Sequence, residues 1–272
     1  MQKKQYKIVV LSDLSKSSAA ILRNAVTIAK IINGRIEIFS VKKPTDIVKI
    51  DNQLSAMRTI NSEHKAINKK MRNLATSISE EYDIGITYSF AFGNVKSEIE
   101  EYLADQMPDV VVLGKRKSKT FNLMGDGITD FILNRYSGTI MIAVHNNKLE
   151  PNKEVTLGML NNPKPSTNLA FAEDLMQHAQ KPLKSFKIVK NTALSQKQPF
   201  PEGRKTIEYV FEYSDNIIKN FSTYLSKNNI NLLCMDRINK QSRATRHLTA
   251  SDVKEVMGKL NVSLLIPGTL QS

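Results

Sequence analysis

Residues 101–114, EYLADQMPDVVVLG, return in altered form as TYLSKNNINLLCMD at residues 223–236. A single shift of 122 residues carries Tyr102 onto Tyr224, Asp109 onto Asn231 and Gly114 onto Asp236. One offset therefore superposes a helix end, a loop and an apolar strand together, and the chain reads as two diverged copies of one strand-and-helix unit. A second echo, with a one-residue slip, sets Thr139–Val144 against Ser263–Pro267. The polar run NNKLEPNK reads as a linker, which divides the chain into residues 1–147 and residues 154–272. Each piece is close to the usual domain size of ~100 to 150 residues.

Within the first copy, apolar strand-like runs alternate with helical patterns. Tyr6 to Leu11 is predicted as a strand, and Ser15 or Ser17 as the cap of a helix with apolar positions Leu22, Ala25, Val26, Ala29 and Ile32. Asn33-Gly34 supplies its stop, and Arg35 to Val41 is the second strand. Leu54, Met57, Ile60, Ile67, Met71, Leu74 and Ile78 recur at roughly helical intervals and mark a long amphipathic helix. Ile84 to Phe92 follows as a strand, Gly93-Asn94 opens a helix containing Ile99, Tyr102 and Leu103, and the apolar run Asp109 to Leu113 is a central strand. Gly114 to Asp126 forms a basic loop, Gly127 to Arg135 a helix, and Thr139 to Val144 a last strand. The fold class is α/β, with two tandem, doubly wound parallel-sheet units of five strands each. Between the second copy's strands, Lys184 to Val189 and Thr206 to Tyr213, lies only KNTALSQKQPFPEGRK, with two prolines and no helical apolar face. The second unit should therefore be smaller. The final strands, Thr139 to Val144 and Leu260 to Ile266, are expected at sheet edges, pairing with each other or with another chain.

Composition removes several function classes. The net charge of +13 is divided almost evenly, +6 up to Asn147 and +7 beyond it, so neither half is a basic arm. With no Trp and few aromatics beside the cations, base stacking is poorly served; non-specific anion attraction is expected, and no specific nucleic-acid partner. No apolar run approaches the ~18 residues of a membrane span, and the early run Ile8 to Leu11 is too short for a signal-peptide core. A cytoplasmic protein with no membrane partner is expected. The single cysteine, Cys234, sits in the apolar run LLCM and reads as a buried, reduced thiol. His64, His145, His178 and His247 show no metal-ligand spacing, and no nucleophile elbow, Walker loop or Gly-rich dinucleotide fingerprint is present.

In open parallel sheets, ligands sit beyond the carboxyl ends of the strands, where loops and helix N-termini converge. Those positions hold Ser12-Asp13 after strand one, Val41 after strand two, and Gly114-Lys115-Arg116-Lys117 after strand four. The helix beginning near Gly127 points its free N–H groups at the same crevice, which suits an anionic group. Asp13 has a second reading, as an acid favouring the following helix N-terminus.

KIVVLSDLSKSSAAILRNAVTIAKIINGRIEIFSV resembles the opening strand, helix and second strand of the universal stress protein family, and the chain as a whole resembles its tandem form. The resemblance covers Asp13 and Gly93, and places a phosphate-binding run after strand four. There Gly114 matches the first glycine, Lys117 stands where a second would be, and Gly127 matches the third. Ile128 replaces the following hydroxyl residue, with Thr129 one step away. The carboxyl-end positions and the resemblance together give a candidate ligand site of Asp13, Val41, Gly114, Lys115, Lys117, Gly127 and Thr129, and the resemblance implies ATP or another adenine nucleotide as ligand. A non-enzymatic stress-response protein that binds a nucleotide or other anion weakly is the leading expectation. An interaction scaffold that self-associates through a sheet edge, or a weak nucleotide-hydrolysing enzyme, are the alternatives. In the second copy Asp236 replaces the glycine after the strand, and RINKQSRATRHLTAS contains no Gly, so no nucleotide site is expected there.

Overall fold

A computed structural model describes residues 5–43, 53–115, 127–146, 149–161, 169–189, 206–212, 214, 216–235 and 258–268. In chain order the first half runs β1 (Tyr6–Leu11), α1 (Ser18–Ile32), β2 (Gly34–Lys42), α2 (Gln53–Tyr82), β3 (Ile86–Phe92), α3 (Val95–Gln106), β4 (Val110–Gly114), α4 (Ile128–Arg135) and β5 (Thr139–Ala143). The second runs β6 (Leu157–Leu160), α5 (Leu169–His178), β7 (Leu183–Val189), β8 (Thr206–Glu212), α6 (Ile217–Lys227), β9 (Leu232–Met235) and β10 (Ser263–Ile266). The expected strands fall within a residue or two of these bounds except the last, which begins at Ser263, three residues after the expected Leu260.

All ten described strands join one sheet in the order β3-β2-β1-β4-β5-β10-β9-β6-β7-β8. Each half is parallel throughout, and the halves meet through one antiparallel pair, with Leu264 opposite Ile142 and Leu265 opposite Met141. The final strands pair with each other, as expected; each is the outermost strand of its own half, so the pair lies at the centre of the combined sheet, and among the described strands the free edges are β3 and β8. Mutual pairing satisfies the backbone groups that an exposed edge would leave to a second chain. The core is also shared. On one face, β1 and α1 pack in a cluster with α5 and Leu232, and on the other Val111 and Ile132 share a cluster with Phe186 and Phe221.

Local chemistry explains the boundaries. Asn33 ends α1 in the left-handed conformation at φ 55° and donates its N–H to the Ala29 carbonyl. Asn94 caps α3 by accepting from the backbone N–H groups of Lys96 and Ser97. Ser17 occupies the N-cap position of α1, but its side chain makes no capping bond, contrary to the expectation for Ser15 or Ser17. In the 30-residue α2, Ile67, Met71 and Ile78 are buried, whereas Met57 is 62% exposed and Ile60 38%. At ~1.5 Å per helical residue and ~3.3 Å per strand residue, α2 is about 45 Å long beside a strand of about 23 Å, so its apolar stripe overruns the sheet.

The duplication extends to side-chain detail. The Asp109 carboxylate accepts from the Lys7 backbone N–H at 2.8 Å, at the start of β1; Asn231 accepts from that of Thr156 at 3.0 Å, just before β6. Tyr102 stacks on Phe39 at 3.7 Å between centroids, and Tyr224 meets the corresponding Phe186 edge-on at 5.9 Å. The halves diverge where α2 packs. The ladder registers align Ile38 with Ser185 and Tyr88 with Glu208, and a Lys187–Glu208 ion pair of 2.7 Å lies on that face of the second half. The stretch expected to lack a long helix, residues 190–205, lies outside the described residues. Cys234 is half-buried rather than buried.

Candidate functional site

The carboxyl ends of β1 and β4 are adjacent because these strands pair directly, with Leu11 opposite Leu113. Beyond β1 the chain turns sharply: Leu14 takes φ 57°, and the Ser12 hydroxyl accepts from its N–H at 3.1 Å while donating to Ser18 at 2.9 Å. Asp13 is exposed at the head of this turn, its Oδ1 accepting from the Ser15 N–H at 3.0 Å. Since α1 begins at Ser18, that bond shapes the turn and does not cap the helix. Val41 pairs with Ala91 and packs with Leu11 and Val95 on the α3 side, forming apolar wall rather than a polar contact point.

Two of the expected residues serve packing as well. A side chain on Gly114 would bring its Cβ within 3.1 Å of Ile21 Cγ1, so glycine here admits the first turn of α1 against β4. Lys115 donates its backbone N–H to Ala143 at 2.8 Å, and its half-buried ammonium donates to the carbonyl of Leu260 in the second half. Burial lowers its pKa to about 8. Lys115 thus faces the joint of the two halves, and Lys117 lies outside the described residues.

What remains is the α4 N-terminus. Gly127 holds the N-cap position with φ 64° and ψ 18°, a left-handed geometry that glycine adopts freely and that a Cβ would strain. Thr129 is half-buried in the first turn. Lys96, which the sequence reading did not select, brings its Nζ to 3.5 Å from where a Gly127 Cβ would stand, and 5.9 Å from the Phe131 ring centroid. Its signal was available, two residues after the Gly93-Asn94 cap. The first helical turn also contains Asp130, which answers part of the helix's positive end. Free N–H groups, an exposed carboxylate and a lysine therefore line one end of the sheet. That set can hold an anion, and no general base paired with a nucleophile belongs to it. Among the described residues no cluster of metal-ligating side chains forms.

A cleft of about 480 Å³ lies at the opposite, amino end of the sheet, lined by Lys30, Asn33, Arg35, Asp83 and His178 among others. It sits where α1, α2 and α5 end, so the backbone presents carbonyls there, which disfavours a phosphate despite the basic side chains. The carboxyl end is the better anion site.

The model of the universal stress protein family matches residues 6–141, half of the chain. The chain belongs to the universal stress protein family. A universal stress protein from Archaeoglobus fulgidus DSM 4304 superposes with a TM-score of 0.70 over 98% of this chain and 99% of its own, at 14% identity. A putative universal stress protein from Pseudomonas aeruginosa UCBPP-PA14 gives 0.57 over 98% and 93%, at 11% identity. At such identities the likeness speaks for the fold alone, and the coverage shows that both halves of the sheet are common to these proteins. No curated protein matches. For this universal stress protein the described helices include none long and apolar enough to cross a membrane.

Proposed function

We propose that this universal stress protein binds an adenine nucleotide, or a comparable phosphate-bearing anion, at the carboxyl ends of β1 and β4, without turning it over. The observation that carries the reading is the left-handed Gly127 at the start of α4, with Lys96 Nζ beside it. Together they offer backbone N–H donors and a cation to one phosphate. In this reading Asp13 faces the sugar or base end, Gly114 keeps the floor open, and Thr129 adds a hydroxyl. Lys115 and Lys117 add positive charge after β4. We assign the protein to the cytoplasm and to a stress response, with residues 1–147 as the binding unit and residues 154–272 as its degenerate partner.

A second reading, an interaction scaffold, draws on Lys115: its ammonium is committed to the Leu260 carbonyl and so holds the halves together. Thermal shift with ATP, ADP and AMP separates the two. Binding at a ligand concentration of ~100 Kd stabilises by about 2.7 kcal/mol, an easily measured rise in Tm. Lys96→Gln should weaken affinity by about tenfold, the equivalent of ~1.4 kcal/mol. No shift with any nucleotide leaves the scaffold; phosphate release that survives repurification brings back the enzyme.

A further inference from the structure

We propose that the outer face of α2 is a docking surface for the phosphodiester backbone of nucleic acid, bound without regard to sequence. The inner face of this helix is committed, with Ile67, Met71, Ala75 and Ile78 buried against the sheet. Arg58, Lys65, Lys69 and Arg72 are all exposed. At ~100° per residue they fall within a sector of about 60° on the opposite side, spread over about 21 Å of helix axis. Between Met57 and Asn73 the helix has these four cations and Lys70 against one acid, Glu63.

The charge on this face is not answered from within the described residues. Ion pairs form elsewhere on the surface, as in Arg23–Glu81 at 2.7 Å and Lys153–Glu150 at 2.8 Å, but none reaches these five cations. Lys65 and Lys69 stand four residues apart, a like-charge spacing that weakens a helix. A straight row of cations of this length spans about six phosphates of one strand at ~3.4 Å each. The stripe itself carries no aromatic residue, and Tyr88 reaches it only through its hydroxyl, which accepts from Arg72 Nε at 3.5 Å, so the backbone is read rather than the bases.

Fluorescence anisotropy with short mixed-sequence DNA and RNA duplexes tests this on the full chain. Binding at low salt should weaken with a log–log slope of about −3 to −4, the signature of roughly four neutralised phosphates. Lys65→Glu with Lys69→Glu should cost at least about tenfold in affinity and remove about 2 from the slope. Lys65→Gln with Lys69→Gln, which adds no repulsion, should cost less but in the same direction. Lys219→Glu with Lys227→Glu on α6 removes the same net charge and should change affinity by less than about twofold. A preference of more than about tenfold for DNA or RNA assigns the surface to that polymer. Three results overturn the proposal: no binding by the wild type at low salt, equal loss from the α2 and α6 pairs, or poly-glutamate bound as tightly as the duplexes.

Discussion

Asn24 is the polar centre of the joint between the two halves, and replacing it with Leu should loosen that joint more than any exposed change. The side chain is fully buried within α1. Its amide donates to the carbonyls of Ala20 at 2.8 Å and Val144 at 3.1 Å. Its oxygen accepts from the Leu149 backbone N–H at 2.9 Å and from the Ser263 hydroxyl at 3.2 Å. One residue thus ties α1, the end of β5, the following linker and the start of β10. Asn24→Leu keeps the branched shape, with somewhat more bulk, but leaves three buried groups short of a partner: the Val144 carbonyl, the Leu149 N–H and the Ser263 hydroxyl. Orphaning a buried polar group costs ~1 to 3 kcal/mol, and since Ser263 still reaches the Val144 N–H, about 3 to 5 kcal/mol is expected in all. That is a large share of a typical ~5 to 15 kcal/mol of stability. Ser263→Ala should cost only about 1 to 2 kcal/mol, and the double variant should lose less than the sum, because the sites share partners. Urea unfolding followed by circular dichroism measures the cost, and hydrogen exchange locates it in the amides of Leu264, Leu265 and Ile266. A loss below about 1 kcal/mol, or unchanged exchange in β10, would refute the reasoning.

Gly114→Val should destabilise by about 1 to 3 kcal/mol through collision with Ile21, and Ile21→Ala should cost less in that background than in the wild type, as chemical denaturation would show. Asp109→Asn should cost less than about 1 kcal/mol, since Asn231 makes the equivalent bond in the other half, whereas Asp109→Ala should cost about 1 to 2 kcal/mol; equal losses would break the equivalence. Burial lowers the Lys115 pKa from 10.5 to about 8, so between these values the unfolded chain binds the extra proton and stability rises with pH. Relative to Lys115→Met, the wild type should therefore gain stability from pH 8 towards 10.5, read from urea midpoints at several pH values; parallel pH profiles would exclude the burial.

Much of this was legible in the chain because strand and helix periods are local. Tyr6–Leu11 and the core positions Leu22, Ala25, Val26, Ala29 and Ile32 stand in the structure as the pattern placed them. The repeat offset aligned Asp109 with Asn231, and the structure gives the two the same role, because the same backbone start needs the same acceptor. Long-range choices were hidden. Nothing local says that β5 and β10 prefer each other to a second chain, although Asn24, lying on the same helical face as Ile21, Ala25 and Ile28, was a polar mark on a buried stripe. Lys115 looked like part of a basic loop, and only the register of the joint turns it towards Leu260. Gly114 looked like an opening for phosphate, while Ile21 above it shows that helix packing asks for glycine as well.

The most direct measurement is calorimetric titration of ATP, ADP and AMP into the wild type and Gly127→Val, at low and moderate salt. Valine at the φ of 64° found there must strain or move the start of α4, at a cost of ~1 to 2 kcal/mol that a folded chain can bear. The wild type should bind at least one nucleotide with a Kd between about 10 μM and 1 mM, more weakly at moderate salt. The variant, with its helix content intact, should bind about tenfold more weakly or not at all. Equal affinity in the two proteins, or no heat from either, would contradict a phosphate site at the α4 N-terminus.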